Sequence, residues 1–249
     1  MSENEKKTPK RRFKEFENAD DWEQRKLGEI TSLITKGTTP KDKTGNGDVN
    51  FIKVENIDSS SGKISGTSKI SNEENEGYLK RSQLQENDIL FSIAGTLGRV
   101  TSVTKQILPA NTNQALAIIR LKEGYLDYVK TCLKGNVVEE FIRKNPTIGA
   151  QPNLSLEQVS SLEIAMPCAE EQHKIGAYFA NLDNLITLHQ CKLEKTKEIK
   201  KAYLSEMFPA EGERKPKRRF AGFTDDWEQR KLGEITSLIT KGTTPKDKT

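Results

Sequence analysis

Short apolar runs alternate with polar loops through the first part of the chain. The runs are rich in β-branched and aromatic residues and are bounded by Gly, Asn, Asp and Ser, which is typical of strands. They predict strands at Asn50–Val54, Asp88–Ala94 and Leu116–Leu121. Apolar residues at helical spacing predict one helix over Tyr125–Lys144, although Gly135 weakens it, and a short helix over Ser155–Leu162. We therefore expect an α+β fold, with a mixed α/β domain over residues 20–167.

The pattern changes after Pro167. Apolar residues then recur at steps of four and three, and neither Gly nor Pro occurs between Gly176 and Phe208. This spacing predicts a spacer helix with a coiled-coil seam in residues 168–208. The 39 residues Glu170–Phe208 would extend about 58 Å as a helix. The apolar seam residues, which we expect to pair with another helix, are Ile175, Phe179, Leu182, Ile186, Leu193, Tyr203 and Met207. An ordinary core helix of a globular fold is the competing interpretation.

The chain repeats its own beginning. The stretch Asp20–Thr44 recurs without change as Asp225–Thr249, and "PKRRF" occurs at residues 9–13 and 216–220. A solenoid repeat is only about 20–50 residues long, so the period here is far too long for one. We interpret the chain as a duplicated domain-plus-helix unit, present once in full and then begun again after a linker, with linker and second start occupying residues 209–249.

Charge is unevenly distributed along the chain. Apolar residues make up 33% and charged residues 31%, and the net charge is +4. Basic residues cluster within residues 1–19, which we expect to be a poorly ordered lead-in, and within Arg214–Arg219. Such clusters suit a polyanionic partner, although a solvated tail would have the same composition.

The spacing of the cysteines and the hydropathy of the chain indicate its cellular compartment. The 3 cysteines, Cys132, Cys168 and Cys191, are widely spaced and odd in number, which argues against a disulfide framework. No stretch approaches the roughly 20 apolar residues that a membrane span needs, and the N-terminus lacks the apolar core of a signal peptide. We expect a cytoplasmic protein without a membrane partner.

Recognisable catalytic patterns are missing from the sequence. Both histidines, His173 and His189, fall on the predicted long helix, where a role as spacer or seam residue is expected. No Gly-x-Gly-x-x-Gly motif follows a strand, and "GTLG" at Gly95–Gly98 lacks the Lys-Ser/Thr of a phosphate loop. We therefore expect no catalytic residue, no metal site and no cofactor.

Polar and basic loops are the remaining candidates for function. Lys, Arg, Thr, Asn and Gln side chains donate to phosphate oxygens and base edges, and amides pair with adenine. Asn and Gly also simply form turns, so each loop alone is weak evidence. The candidate DNA-binding residues are Lys36, Thr38, Thr39, Lys41, Lys43, Asn46, Arg99, Lys105, Asn111, Asn113, Gln114, Gln151 and Asn153.

These stretches together resemble the specificity subunits of type I restriction–modification systems. The resemblance is carried by "WEQRKLGEITSLITKGTTP", "FIKVENI", "NDILFSIAGTLGRV", "NQALAIIR", "IGAQPNLS" and "IAMPCAEEQHKIGAYFANLDNLITLHQCKLEKTKEIKKAYLSEMF". It implies a target-recognition domain followed by a spacer helix. It also implies a non-catalytic subunit that reads half of a split site in double-stranded DNA and recruits adenine methyltransferase (modification) subunits and, in the full complex, restriction subunits.

Members of the family carry two recognition domains and two antiparallel helices, whereas this sequence contains one complete domain and one helix. We therefore expect a half subunit that pairs with a second copy as an antiparallel homodimer. The alternative is an inactive interaction module that binds modification subunits without productive DNA recognition. The second start, Asp225–Thr249, is expected either to dock on a partner as Asp20–Thr44 docks on its own chain, or to hang free.

Overall fold

The β-branched runs between Trp22 and Pro167 form three small sheets in a computed structural model that describes residues 9–42, 44–145 and 153–242. The strands are β1 Glu23–Lys26, β2 Thr31–Lys36, β3 Val49–Ile52, β4 Ser68–Ile70, β5 Ile89–Ser92, β6 Val100–Ser102, β7 Ala110–Thr112, β8 Leu116–Leu121 and β9 Glu163–Met166. The helices are α1 Asn72–Glu76, α2 Leu126–Lys134, α3 Asn136–Lys144, α4 Leu156–Ser160, α5 Ala169–Glu206 and α6 Leu232–Ile235. The predicted α+β class is confirmed, and the chain divides into two units, Met1–Thr187 and Leu188–Thr249.

The central sheet of the first unit is buried on both faces. It is antiparallel, in the order β2-β8-β5-β6. Successive side chains point to opposite faces of a strand. Along β5, Ile89 and Phe91 accordingly enter one apolar cluster and Leu90 enters another. Burial on both faces explains why "DILFSIA" and "LAIIRL" read as continuous apolar runs rather than alternating ones.

Two smaller sheets flank this one. The order of the second is β4-β3-β7, with β3 antiparallel to β4 and parallel to β7. The third pairs β1 with β9, so that the start of the domain closes against its end.

Helices α2 and α3 correct one prediction. The sequence pattern predicts a single helix over Tyr125–Lys144, but Gly135 separates two helices. Gly135 adopts an extended conformation, with ψ at −157°, and its N–H donates to the carbonyls of Thr131 and Cys132. The single-helix prediction is wrong because the glycine ends α2, while the apolar spacing continues on both sides of it. The short helix predicted at Ser155–Leu162 is present as α4.

Helix α5 begins against the first unit. The Gln172 side chain accepts from the Tyr125 N–H at 3.1 Å and donates to the Pro167 carbonyl at 2.8 Å. At Gly176 a Cβ atom would lie 2.8 Å from the Tyr128 nitrogen, so a side chain there would push α5 away from α2. The residues that begin α5 are thus fitted to the domain, and Ile175 packs against the first core cluster.

Residues 9–19 correct a second prediction. Arg12 donates to both carboxylate oxygens of Glu171, at 2.8 and 2.7 Å, and to the Ala19 and Asp20 carbonyls. Phe13 packs edge-on against Tyr178 at 5.9 Å between ring centroids. The expected poorly ordered lead-in is therefore wrong for residues 9–19, because an ion pair and a ring contact anchor a segment that has few aliphatic side chains. Residues 1–8 lie outside the described residues.

The second unit holds the C-terminal half of α5 and the second start. Arg218 donates to Glu206 at 2.7 Å and lies over the Tyr203 ring, while Trp227 packs edge-on against Phe208 at 5.9 Å. None of the helices in the described ranges is long and apolar enough to cross a membrane.

Candidate nucleic-acid interface

The loop that follows β2 is fixed to the loop between β7 and β8 by its backbone. The Gly37 N–H donates to the Leu116 carbonyl at 3.4 Å, and the Thr38 N–H donates to the Thr112 carbonyl at 3.2 Å. A Cβ atom on Gly37 would lie 1.9 Å from the Thr112 oxygen, so only glycine permits this approach. "TKGTTPKDKTGNGD" and "PANTNQ", which are far apart in the sequence, therefore meet on one surface.

The close contact at Gly37 predicts that the same substitution lowers the stability of the protein in the first copy of the repeat but not in the second. We expect Gly37→Val to lower the free energy of unfolding by about 1–3 kcal/mol, because the side chain forces the two loops apart. The matched control is Gly242→Val, since Gly242 is the equivalent glycine in the second copy and has no atom within 4 Å of its Cβ position. Urea denaturation measures both. Equal losses of stability in the two variants would contradict the close approach.

Side chains from three other segments join this loop. Thr39 Oγ1 donates to Gln114 Oε1 at 2.7 Å, and Arg81 Nη2 donates to Thr38 Oγ1 at 3.2 Å. The backbone N–H of Lys41 donates to Glu74 Oε1 at 2.5 Å. The predicted residues Thr38, Thr39, Lys41 and Gln114 are thus brought together.

A groove of about 280 Å³ lies beside these contacts. We call it the loop groove; it is lined by Thr39, Pro40, Asp42, Gly45, Phe51, Lys53, Ser68, Lys69, Ile70 and Asn113. It combines two lysines, hydroxyls, an amide and a carboxylate. The pKa of Asp42 lies below its ordinary value because the N–H and hydroxyl of Thr44 donate to its carboxylate. Asp42 is therefore an ionised acceptor at neutral pH.

Four further residues of this surface were missed by the sequence reasoning. Lys53 and Lys69 line the loop groove, Arg81 reaches Thr38, and the exposed Tyr78 ring lies 4.4 Å from Lys41 Nζ. The available signal was "YLKR" at Tyr78–Arg81, where an aromatic residue stands beside basic ones. Such interleaving is typical of surfaces that bind nucleic acid.

Other candidate residues lie around the same end of the central sheet. Lys36 is exposed at the end of β2, and Asn46 is exposed in the loop that lines the groove. The Leu154 N–H donates to the Ile93 carbonyl at 2.8 Å, and the Ile93 N–H donates to the Ala115 carbonyl at 2.9 Å. Asn153 and Gln114 therefore flank the strand end at Ile93. Lys43 and Gln151 lie outside the described residues.

Three candidates have other roles or positions. Asn111 is fully buried, and its Nδ2 donates to Asn75 Oδ1 at 2.9 Å and to the Leu79 carbonyl at 3.0 Å. It is not available to DNA, and its prediction as a contact residue is corrected. Arg99 Nη1 donates to the carbonyls of Val54 and Ile57, at 3.1 and 2.7 Å, so this guanidinium fixes a turn. Lys105 is exposed but lines no part of the loop groove.

Helix α5 carries a second surface of interest, an exposed apolar stripe. We define this α5 stripe as Phe179, Leu182, Ile186, Leu193 and Tyr203, whose exposed fractions run from 37% at Leu182 to 53% at Leu193. Leu185, Leu188, Ile199 and Leu204 beside it are more than half exposed. Ile175 and Met207, the outermost predicted seam residues, are half-buried. The stripe is thus partly exposed over several turns of the helix, although Arg218 lies over the Tyr203 ring.

The chain is similar to known DNA specificity proteins. A family described as "Type I restriction modification DNA specificity domain" matches residues 19–201. The EcoBI type I restriction enzyme specificity subunit of Escherichia coli is 26% identical over 204 residues, which covers 77% of this chain and 42% of that protein. The putative MjaX specificity subunit of Methanocaldococcus jannaschii is 25% identical over 231 residues, covering 86% of this chain and 52% of that protein. The chain thus spans about half the length of these relatives.

A solved structure shares the fold. The crystal structure of the HsdS subunit from Thermoanaerobacter tengcongensis has a TM-score of 0.53 and 18% sequence identity, and the match covers 77% of this chain and 50% of that chain. The family match extends from just before β1 into the C-terminal half of α5, so it includes both the loop groove and most of the α5 stripe. The chain belongs to the family of type I restriction–modification DNA specificity domains.

Proposed function

We propose that this chain reads one half of a bipartite DNA site with the loop groove and its neighbouring side chains. In this proposal it acts as a non-catalytic subunit that recruits adenine methyltransferase subunits and, in a full complex, restriction subunits. The observation that carries the proposal is the convergence of separate loops, with their cations and amides, on one exposed surface.

The chemistry of the loop groove and of the side chains beside it suits double-stranded DNA. Lys41, Lys53, Lys69 and Arg81 can neutralise phosphates, which supplies affinity and orientation but little sequence information. Amides and carboxylates read base edges, since Asn and Gln pair with adenine and Asp accepts from the cytosine amino group. Asn113, Gln114 and Asp42 are the corresponding side chains here. Positioning groups and reading groups thus lie side by side.

The α5 stripe supports the second part of the proposal, which is pairing with another copy. An apolar stripe along a long helix is stable when a comparable helix covers it. A second chain offers an identical stripe, and a two-fold axis brings the two helices together antiparallel. The pair would present two loop grooves to DNA and read an inverted repeat with a spacer.

Salt dependence of DNA affinity tests the recognition surface. We expect Lys41→Ala combined with Lys69→Ala to reduce the slope of log affinity against log salt by about 0.9 for each phosphate that is no longer neutralised. The control is Lys122→Ala, because Lys122 follows the far end of β8, away from the strand start that borders the groove. Fluorescence anisotropy on duplex DNA at several salt concentrations measures the slopes. Equal slopes in parent and double variant would contradict the proposed surface.

Methylome sequencing of cells that carry this chain with a modification subunit tests recruitment and pairing together. We expect methylated adenines in a motif whose two halves are inverted copies. A chain that binds modification subunits but yields no methylated motif and no salt-dependent DNA binding would instead be the inactive interaction module.

A further inference from the structure

The two identical stretches of the chain share one capped turn, although only the first stretch forms strands within the described residues. We call Asp20–Thr44 the first copy and Asp225–Thr249 the second copy. In the first copy the Lys26 N–H donates to Glu29 Oε2 at 3.3 Å, and in the second the Lys231 N–H donates to Glu234 Oε2 at 3.2 Å. The capped turn therefore forms in both copies, which means that local sequence is sufficient to specify it.

The two copies differ in what covers them. Leu27 and Ile30 of the first copy are fully buried, whereas the equivalent Leu232 and Ile235 are 63% and 60% exposed. In this structure the second copy thus exposes the apolar side chains that the first copy buries. Exposed apolar residues grouped in this way mark a binding surface.

The structure also defines a binding site for such a segment. The first copy lies in a cradle formed by α4, β8 and β9. There β1 pairs with β9, β2 pairs with β8, and the Leu27 N–H donates to the Leu162 carbonyl at 2.8 Å. Because the second copy has the same sequence, it is complementary to this cradle in every side chain that the first copy uses.

We propose that the second copy binds in the cradle of a partner chain, in place of that chain's first copy. The two occupants make the same contacts, so their effective concentrations decide which one is bound. A first copy attached to its own domain has an effective concentration on the order of millimolar, which an unpaired chain at micromolar concentration cannot match.

Pairing of the chains raises the effective concentration of the second copy at the partner's cradle. Extensive exchange rests on the antiparallel α5 pairing proposed above, which lays the C-terminal end of one α5 beside the start of its partner. The second copy follows α5 after a short linker, so pairing tethers it close to the partner's cradle. Each cradle then has two tethered occupants of equal complementarity, and exchange of segments links the two chains in addition to the helix contact.

A disulfide trap tests the exchange in the full chain. Gln24 lies opposite Ala165 in the β1–β9 pair, at a separation that a disulfide can bridge, and Gln229 is the equivalent of Gln24 in the second copy. In a background with Cys168→Ser and Cys191→Ser, we expect Ala165→Cys with Gln229→Cys to give a disulfide-linked dimer in at least about one tenth of the chains under mild oxidation. The positive control, Gln24→Cys with Ala165→Cys, should give an internal disulfide in a monomer. Non-reducing gels and peptide mapping distinguish these products.

Two equivalent substitutions, one in each copy, test whether the two copies compete for the cradle. We expect Ile30→Asp to raise the yield of linked dimer several-fold, because it weakens the competing first copy, and Ile235→Asp to abolish it. Ile235 is exposed, so this second variant should fold as the parent does and keeps the test valid if Ile30→Asp prevents folding.

The state of the reduced protein separates this proposal from the proposed pairing. Linked dimer in at least about one tenth of the chains supports exchange between paired chains. Only a trace of linked dimer from a reduced sample that is monomeric would contradict both the α5 pairing and the extensive exchange that rests on it. If the positive control forms and the trap does not, exchange is overturned. A reduced sample that remains dimeric in that case leaves the pairing intact.

Discussion

Arg120→Met is expected to lower the free energy of unfolding by about 3–5 kcal/mol, because it leaves a buried carboxylate without its charged partner. The Asp88 side chain is fully buried and accepts from Arg120 Nε at 2.7 Å and from Arg120 Nη2 at 2.8 Å. Asp88 Oδ2 also accepts from the Gln85 N–H at 2.7 Å. Methionine retains much of the apolar stem of Arg120, so the variant isolates the loss of the guanidinium. Chemical denaturation at neutral pH measures the change.

Two further variants separate charge from packing at this position. Asp88→Asn combined with Arg120→Met should recover much of the loss, because a neutral amide needs no counter-ion and still accepts from Gln85. Arg25→Met should have a far smaller effect, since its partners Glu29 and Glu123 are more than half exposed. A single Arg120 variant as stable as the parent would show that the pair contributes nothing to the fold.

The long helix illustrates what the sequence could predict. The spacing of its apolar residues gave Glu170–Phe208, and the observed α5 is Ala169–Glu206. The prediction is accurate because the determinants are local: apolar periodicity, and no Gly or Pro between Gly176 and Phe208. The three predicted strands overlap β3, β5 and β8 for the same reason, since β-branched runs bounded by turn residues carry their own signal.

Long-range contacts account for what the sequence did not predict. Nothing local distinguishes the buried Asn111 from the neighbouring Asn113, which lines the loop groove; the fold alone places Asn75 and Leu79 around the Asn111 amide. The anchoring of residues 9–19 depends likewise on Glu171, at the start of α5. An ion pair between residues so far apart in sequence leaves no periodic pattern.

The candidate site was predicted in part. The loops after β2 and β7 were identified from their Thr, Asn and Lys content, and the structure brings them together. Arg81 and Tyr78 escaped notice because their segment reads as an ordinary charged helix and turn, and only the Thr38 and Lys41 contacts place it beside the loops. Side-chain composition therefore indicated the chemistry of the site. Which residues belong to the site depended on tertiary structure.

Leu182→Asp combined with Ile186→Asp is expected to weaken self-association on the order of 1000-fold and to yield a monomer at micromolar concentration. Burial of a whole Leu or Ile side chain contributes about 1.5–3 kcal/mol. Pairing would bury only the exposed part of Leu182 and Ile186, and each substitution occurs twice in a two-fold pair, so the loss is about 2.5–5 kcal/mol. The introduced carboxylates would also have to be buried against an apolar surface, which disfavours pairing further. The two residues are 37% and 46% exposed, so the substitutions should leave the fold of the chain unchanged. Sedimentation across a concentration series measures association.

The control for this prediction introduces the same charges off the stripe. Asn184 and Cys191 are exposed and lie outside the apolar seam, so Asn184→Asp combined with Cys191→Asp should associate as the parent does. The stripe variant should still bind a half-site, because its loop groove is unaltered, but it should lack the added affinity that two linked grooves have for an inverted repeat. If the stripe variant binds a half-site as tightly as the parent but binds the inverted repeat more weakly than the parent, helix pairing contributes to DNA recognition. A stripe variant that remains dimeric would exclude α5 as the contact between chains.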